Sequence, residues 1–179
     1  MKAMDYKNNL TEYLDKYSYP SDPNLKEKIA NLEDIFFTQP LINEIVLWKV
    51  NRYVSLNNEI LIRLNNLKSL TQGRHQDAQS ILEDLLTVKG VDLPMASTFL
   101  RFRNPKVFQI IDKHAYRAVY DKKYPFNGKS QRSIDKKVDV YFDYLDKLIE
   151  LCRERNLEFT SVDKLLYEFD IQINGQLPK

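Results

Sequence analysis

Leu85-Leu86-Thr87-Val88-Lys89-Gly90-Val91-Asp92-Leu93-Pro94-Met95-Ala96-Ser97 reads as the end of one helix, a glycine-centred turn and the start of another. Ile81, Leu82, Leu85 and Leu86 recur at helical spacing and predict a helix from about Asp77 to Leu86. Gly90 stands where a left-handed backbone is needed, and Pro94 suits the first turn of a helix running to about Phe102. Two short helices joined by a tight turn form an all-α unit, and the same 3,4 spacing continues on both sides. Upstream it predicts helices at Asp5–Tyr17, from Pro23 to Thr38, at Leu41–Tyr53, and at Glu59–Leu70 behind an Asn57-Asn58 cap. Downstream it predicts helices at Lys113–Tyr120, Ser133–Asn156 and Ser161–Phe169. Val107, Phe108, Ile110 and Ile111 form an apolar run too short to arbitrate by periodicity; with helices on both sides, a buried connector is the better reading than a strand.

Composition agrees. The 179 residues are 43% hydrophobic and 29% charged, with only 4 Gly and 7 Pro but 9 Phe and 11 Tyr, which excludes disorder and collagen and leaves ample bulk for a core. No apolar stretch approaches the ~20 residues of a membrane helix, and Met1–Leu10 lacks the apolar segment of a secretory signal. The single Cys152 excludes an internal disulfide and any site built from several thiolates, so a cytoplasmic, metal-free protein is expected. The expected architecture is a two-lobed helical bundle. One lobe comprises about 1–38 with 133–179, and the other about 39–132 with the hairpin at 77–102.

Net charge is only +2, but its distribution is uneven. Between Arg101 and Lys137 stand eleven basic residues against Asp112, Asp121 and Asp135, a local +8 against −6 elsewhere. This is the footprint of a polyanion-binding face, or equally of a solvated helical surface whose lysines meet acids from elsewhere.

Within that stretch, Asp112-Lys113-His114-Ala115-Tyr116-Arg117 puts an Asp directly after the apolar run, at the head of a basic helix. With the hairpin before it, the segment Leu82–Tyr120 resembles the helix-hairpin-helix-GPD superfamily of base-excision DNA glycosylases. There a catalytic Asp follows the hairpin in the local pattern Asp-x-His-x-x-Arg, which Asp112, His114 and Arg117 match. Trp48-Lys49-x-x-Arg52 is similar to a motif of a smaller bacterial branch. The resemblance implies double-stranded DNA as partner, no cofactor, and Asp112 as the catalytic carboxylate. It implies DNA contacts by Lys89, Gly90, Val91, Lys113, His114, Arg117, Lys49 and Arg52, with Trp48 as a base-stacking candidate. Two departures matter. Asp92 replaces the second hairpin glycine and sets an acid near the phosphate contact, while Pro94 stands at the Schiff-base lysine position. The acid weakens the expected phosphate contact, and the proline argues against an efficient glycosylase/lyase and toward a monofunctional enzyme that hydrolyses the N-glycosidic bond of an altered base, unless Lys89 or Lys113 reaches the sugar by another route.

Each residue also has a plainer role. Gly90 fits any helical corner; Asp112 suits the N-cap of the helix at Lys113, a role compatible with a groove carboxylate. His114 suits a structural hydrogen bond, Lys49 and Arg52 a pair with an acid, and Trp48, Phe99 and Phe102 the core. Two further functions therefore stand beside the glycosylase: a non-catalytic DNA-binding hairpin module, and a protein-interaction domain that meets no nucleic acid.

Overall fold

The computed structural model describes residues 2–16, 36–50, 54, 56–126 and 128–177, apart from the side chains of Trp48 and Val50. Among the described residues it is all-helical, without strands. The helices are α1 (Glu12–Asp15), α2 (Gln39–Val50), α3 (Asn58–Asn66), α4 (Gln79–Thr87), α5 (Leu93–Arg103), α6 (Lys113–Tyr120), α7 (Gln131–Arg155) and α8 (Val162–Asn174).

The caps explain where they begin and end. Asn57 accepts the Ile60 amide at 2.8 Å and starts α3. Ser130 caps α7, so that helix begins two residues before the expected Ser133. Asp121 (φ 55°) and Asn156 (φ 51°) end α6 and α7 in the left-handed conformation that short polar side chains tolerate. Pro40 lies in the first turn of α2, where its missing N–H costs no bond.

The N-terminus departs from expectation. Instead of one helix over Asp5–Tyr17, a 3-10 turn at Ala3–Asp5 is separated from the single turn of α1. The Asn9 side chain accepts from the Thr11 amide at 3.0 Å and the Thr11 hydroxyl at 2.8 Å, a local bond that competes with the helix. Tyr17 and almost all of the second expected helix lie outside the described residues.

Helix α5 runs through the middle. All its residues but Pro94 are buried, Phe99 and Phe102 among them as expected, and α2, α3 and α4 pack around it. The long α7 lies against α4 and α6, and α6 packs chiefly on α8, which also receives α1.

The Val107–Ile111 run is a connector, and its polar backbone is fixed by side chains from three helices. Tyr141 donates to the Gln109 carbonyl at 3.0 Å and Tyr144 to that of Ile110 at 2.9 Å, both from α7. Ser97 of α5 accepts the Ile111 amide at 3.2 Å, and Asp163 of α8 accepts that of Ile110 at 3.4 Å. Buried amides and carbonyls that no strand pairs are thus satisfied one by one, and the chain reaches Asp112 along a fixed path. Among the described residues no helix is long and apolar enough to cross a membrane.

Candidate functional site

A tight turn over Lys89 and Gly90, the segment read as a hairpin from the sequence, joins α4 to α5. Val91 donates its amide to the Val88 carbonyl at 3.1 Å, closing a turn over Lys89 and Gly90. Gly90 has φ 87°, a conformation costly for any residue with a Cβ. Lys89 and Gly90 are exposed, while Val91 is fully buried and anchors the turn.

Two lysines from the far side of the chain brace this corner. The Lys129 ammonium donates to the carbonyls of Leu86 (3.0 Å), Val88 and Val91 (2.8 Å). Lys137, only 1% exposed, donates to the Gly128 carbonyl at 2.6 Å and meets Asp92 Oδ1 at 2.7 Å. Burial of the Lys129 ammonium, with Lys137 beside it, draws its pKa below the lysine norm against the opposing pull of Asp92. Asp92 also accepts the Leu93 amide at 2.8 Å as the N-cap of α5. The acid that reads as a liability at a phosphate contact is therefore a helix cap neutralised from within.

Asp112 is the N-cap of α6, as the plainer reading expects. Its Oδ1 accepts the His114 amide at 2.9 Å and the Ala115 amide at 2.8 Å. Among the described residues Oδ2 accepts no hydrogen bond and no lysine or arginine pairs with the carboxylate, which is half-buried. Three tyrosines feel its charge: together with burial, it raises the pKa values of Tyr124, Tyr144 and Tyr167. Tyr124 feels both Asp92 and Asp112, so this hydroxyl links the hairpin's helix start to that of α6. It is buried without a hydrogen-bond partner among the described residues, and burial is the largest cause of its raised pKa.

The other motif residues turn inward. His114 is buried, and its Nδ1 lies 2.7 Å from Asp170 Oδ2. Arg117 donates to both oxygens of the same carboxylate at 2.8 Å and to the Gly175 carbonyl. Asn174 donates to Asp170 Oδ1 at 2.9 Å. Asp170 is fully buried and saturated by these donors, so His114 and Arg117 tie α6 to α8 from behind Asp112. Their polar ends face this carboxylate, and a DNA phosphate would have to compete with it for Arg117.

Lys113 and Lys49 are half-buried, on α6 and α2. The Trp48 side chain and Arg52 lie outside the described residues. The basic stretch is less basic at the surface than its sequence implies. Arg101 pairs with Asp163 at 3.4 Å and donates to the Thr160 carbonyl at 2.9 Å, and Arg103 donates to the Asn65 carbonyl at 3.0 Å. With Arg117, Lys129 and Lys137, five of the eleven cations have internal partners; Lys106, Lys122, Lys123, Lys129, Arg132 and Lys136 are exposed. Sequence reasoning missed Asp170, Lys129 and Lys137 as partners, and Tyr124 altogether.

No family model, curated protein or solved structure matches the chain.

Proposed function

We propose that this protein binds duplex DNA through the Lys89–Val91 hairpin and that Asp112 serves hydrolysis of an N-glycosidic bond. One observation carries the reading: Asp112 is held by two backbone amides through one oxygen, while its other oxygen has no partner among the described residues. Breaking the bond between C1′ and a base nitrogen builds positive charge on the sugar. A fixed carboxylate stabilises that charge and orients the water whose oxygen bonds to C1′, with one water proton leaving to solvent and the departing base gaining one. Pro94 at the lysine position agrees with a water nucleophile, and extrusion of the base from the stack would supply access.

A second reading has its own observation. His114 and Arg117 are held by Asp170, and Asp112 caps α6, so the whole motif suits a scaffold. A DNA-binding hairpin without turnover would look the same. The deciding experiment is a panel of duplexes bearing single lesions or mismatches, treated with alkali after incubation with the wild type or Asp112→Asn. Asn keeps the capping oxygen and removes the charge. Alkali-dependent breaks that vanish in the variant, with salt-sensitive binding retained, support the glycosylase. Binding without breaks on any duplex leaves the hairpin module, and no salt-dependent binding leaves a protein-interaction domain.

A further inference from the structure

The Tyr124 hydroxyl is a buried donor that, among the described residues, has nothing to donate to. Its ring is held edge-on by Tyr116 at 5.5 Å and Phe126 at 5.3 Å, which gives the hydroxyl a fixed direction. Tyr116 stands one turn into α6, and its amide donates to the Asp112 carbonyl at 2.8 Å, so Tyr124 lies against the start of the helix that Asp112 caps. Burial first, then the charges of Asp92, Tyr116 and Asp112, holds the Tyr124 pKa above the tyrosine norm, and the group keeps its proton as a donor. Two carboxylates compete for that donor. Asp92 is already met by the Lys137 ammonium at 2.7 Å, whereas Asp112 has no cation partner among the described residues and leaves Oδ2 free. Tyr144, whose hydroxyl also feels Asp112, is spent on the Ile110 carbonyl at 2.9 Å. A buried hydroxyl without a partner is costly to keep, and one water answers both groups. It accepts from the Tyr124 hydroxyl, donates to Asp112 Oδ2 and retains a lone pair for a third partner. An anion would not serve, because the two carboxylates repel it.

We propose that Tyr124 is a positioning residue: its hydroxyl and Asp112 Oδ2 share one water and aim its oxygen at C1′ of the nucleoside. The inference deepens the glycosylase reading and rests on it. The water oxygen bonds to C1′ as the bond from C1′ to the base nitrogen breaks; the electron pair of that bond leaves with the base, which takes up a proton, and one water proton passes to solvent. Tyr124 loses no proton and touches no substrate atom; it acts through the water it orients.

The test joins a high-resolution crystal structure of the free protein to the kinetics of Tyr124→Phe, which keeps the ring and deletes the donor. In the wild type one ordered water lies about 3 Å from both Tyr124 Oη and Asp112 Oδ2, and it is missing from the variant. On a duplex that the wild type converts to alkali-labile sites, kcat of Tyr124→Phe falls about tenfold to a hundredfold, while KM and the melting temperature stay close to the wild-type values. A merely structural hydroxyl would move the melting temperature and leave kcat alone. A wild-type crystal without that water overturns the proposal, whether or not the variant folds. So does Tyr124→Phe turning over at the wild-type rate. The two readings fail separately. Breaks that vanish in Asp112→Asn but persist in Tyr124→Phe keep the glycosylase and reject the positioning role, whereas the shared water with no breaks on any duplex keeps the water site and rejects hydrolysis.

Discussion

Helices α5 and α6 begin alike and differ in what their first carboxylate can do. Each opens on an aspartate whose side chain accepts from the backbone, one amide at Asp92 for α5 and two at Asp112 for α6. Asp92 meets the Lys137 ammonium at 2.7 Å, whereas Asp112 has no cation partner among the described residues. Capping is a local property that any Asp before a helix satisfies. Whether the capping carboxylate retains an unneutralised charge is decided by an ammonium from a helix far along the chain. The difference explains why Asp92, beside the hairpin, is quiet, and why Asp112 is the better candidate for chemistry.

The strongest way to break the contrast is to remove the neutralising lysine. Lys137→Met keeps the buried stem and deletes the charge, leaving the Gly128 carbonyl and Asp92 without their donor. Loss of one partner of a buried pair costs 3 kcal/mol or more, but the Asp92 side chain is 47% exposed and water replaces part of the loss, so about 2 kcal/mol is expected in urea unfolding. Adding Asp92→Asn should recover about half of that in a double-mutant cycle. Strictly additive effects of the two changes would mean that Asp92 is not neutralised by Lys137, and the two helix starts would then be equivalent.

What the chain declares locally and what it does not follow the same line. The span of α6 and the Asp112 cap follow from one polar residue ahead of an amphipathic segment, and both are where the pattern puts them. The helix expected over Asp5–Tyr17 fails because Asn9 offers its backbone a competing bond, a signal present in the Asn8-Asn9 pair. The burial of Arg101 and Arg103 was not legible: Ser97, Thr98 and Arg101 recur at helical spacing and read as a polar face, yet every residue of this helix but Pro94 is buried. Asp170 was not legible, because it sits 53 residues from Arg117 and nothing near it in sequence marks it as the buried acceptor for a motif on another helix. The partners of Lys129 and Lys137 were hidden for the same reason, and counting the buried Lys137 as surface charge overstates the basic face.

Separating the cap from the charge sharpens the contrast at Asp112 itself. Asp112→Ala deletes the acceptor for two amides and should cost about 1 kcal/mol, whereas Asp112→Asn should stay within a few tenths of the wild type. The comparison is made by urea unfolding at pH 7. A loss in the Asn variant as large as in the Ala variant would show that the carboxylate charge, and not the cap, stabilises the fold, and Asp112 would then resemble Asp170 more than a poised group.

The smallest effect sets the pH range in which these comparisons hold. His75, 2% exposed in the 3-10 turn ahead of α4, packs against Phe142, and burial pulls its pKa below the usual 6.5 although Asp146 at 3.3 Å pulls the other way. A folded pKa below the unfolded one means that the unfolded chain takes up the proton first as pH falls. The stability that the neutral ring contributes is therefore whole above about 6.5 and is lost progressively below it, with a slope of at most about 1.4 kcal/mol per pH unit. His75→Gln removes this titration, so the difference between the wild-type and variant unfolding free energies should change between pH 7 and pH 5.5. A difference that stays constant over that range would show that His75 has no depressed pKa, and the acid sensitivity would belong to the carboxylates.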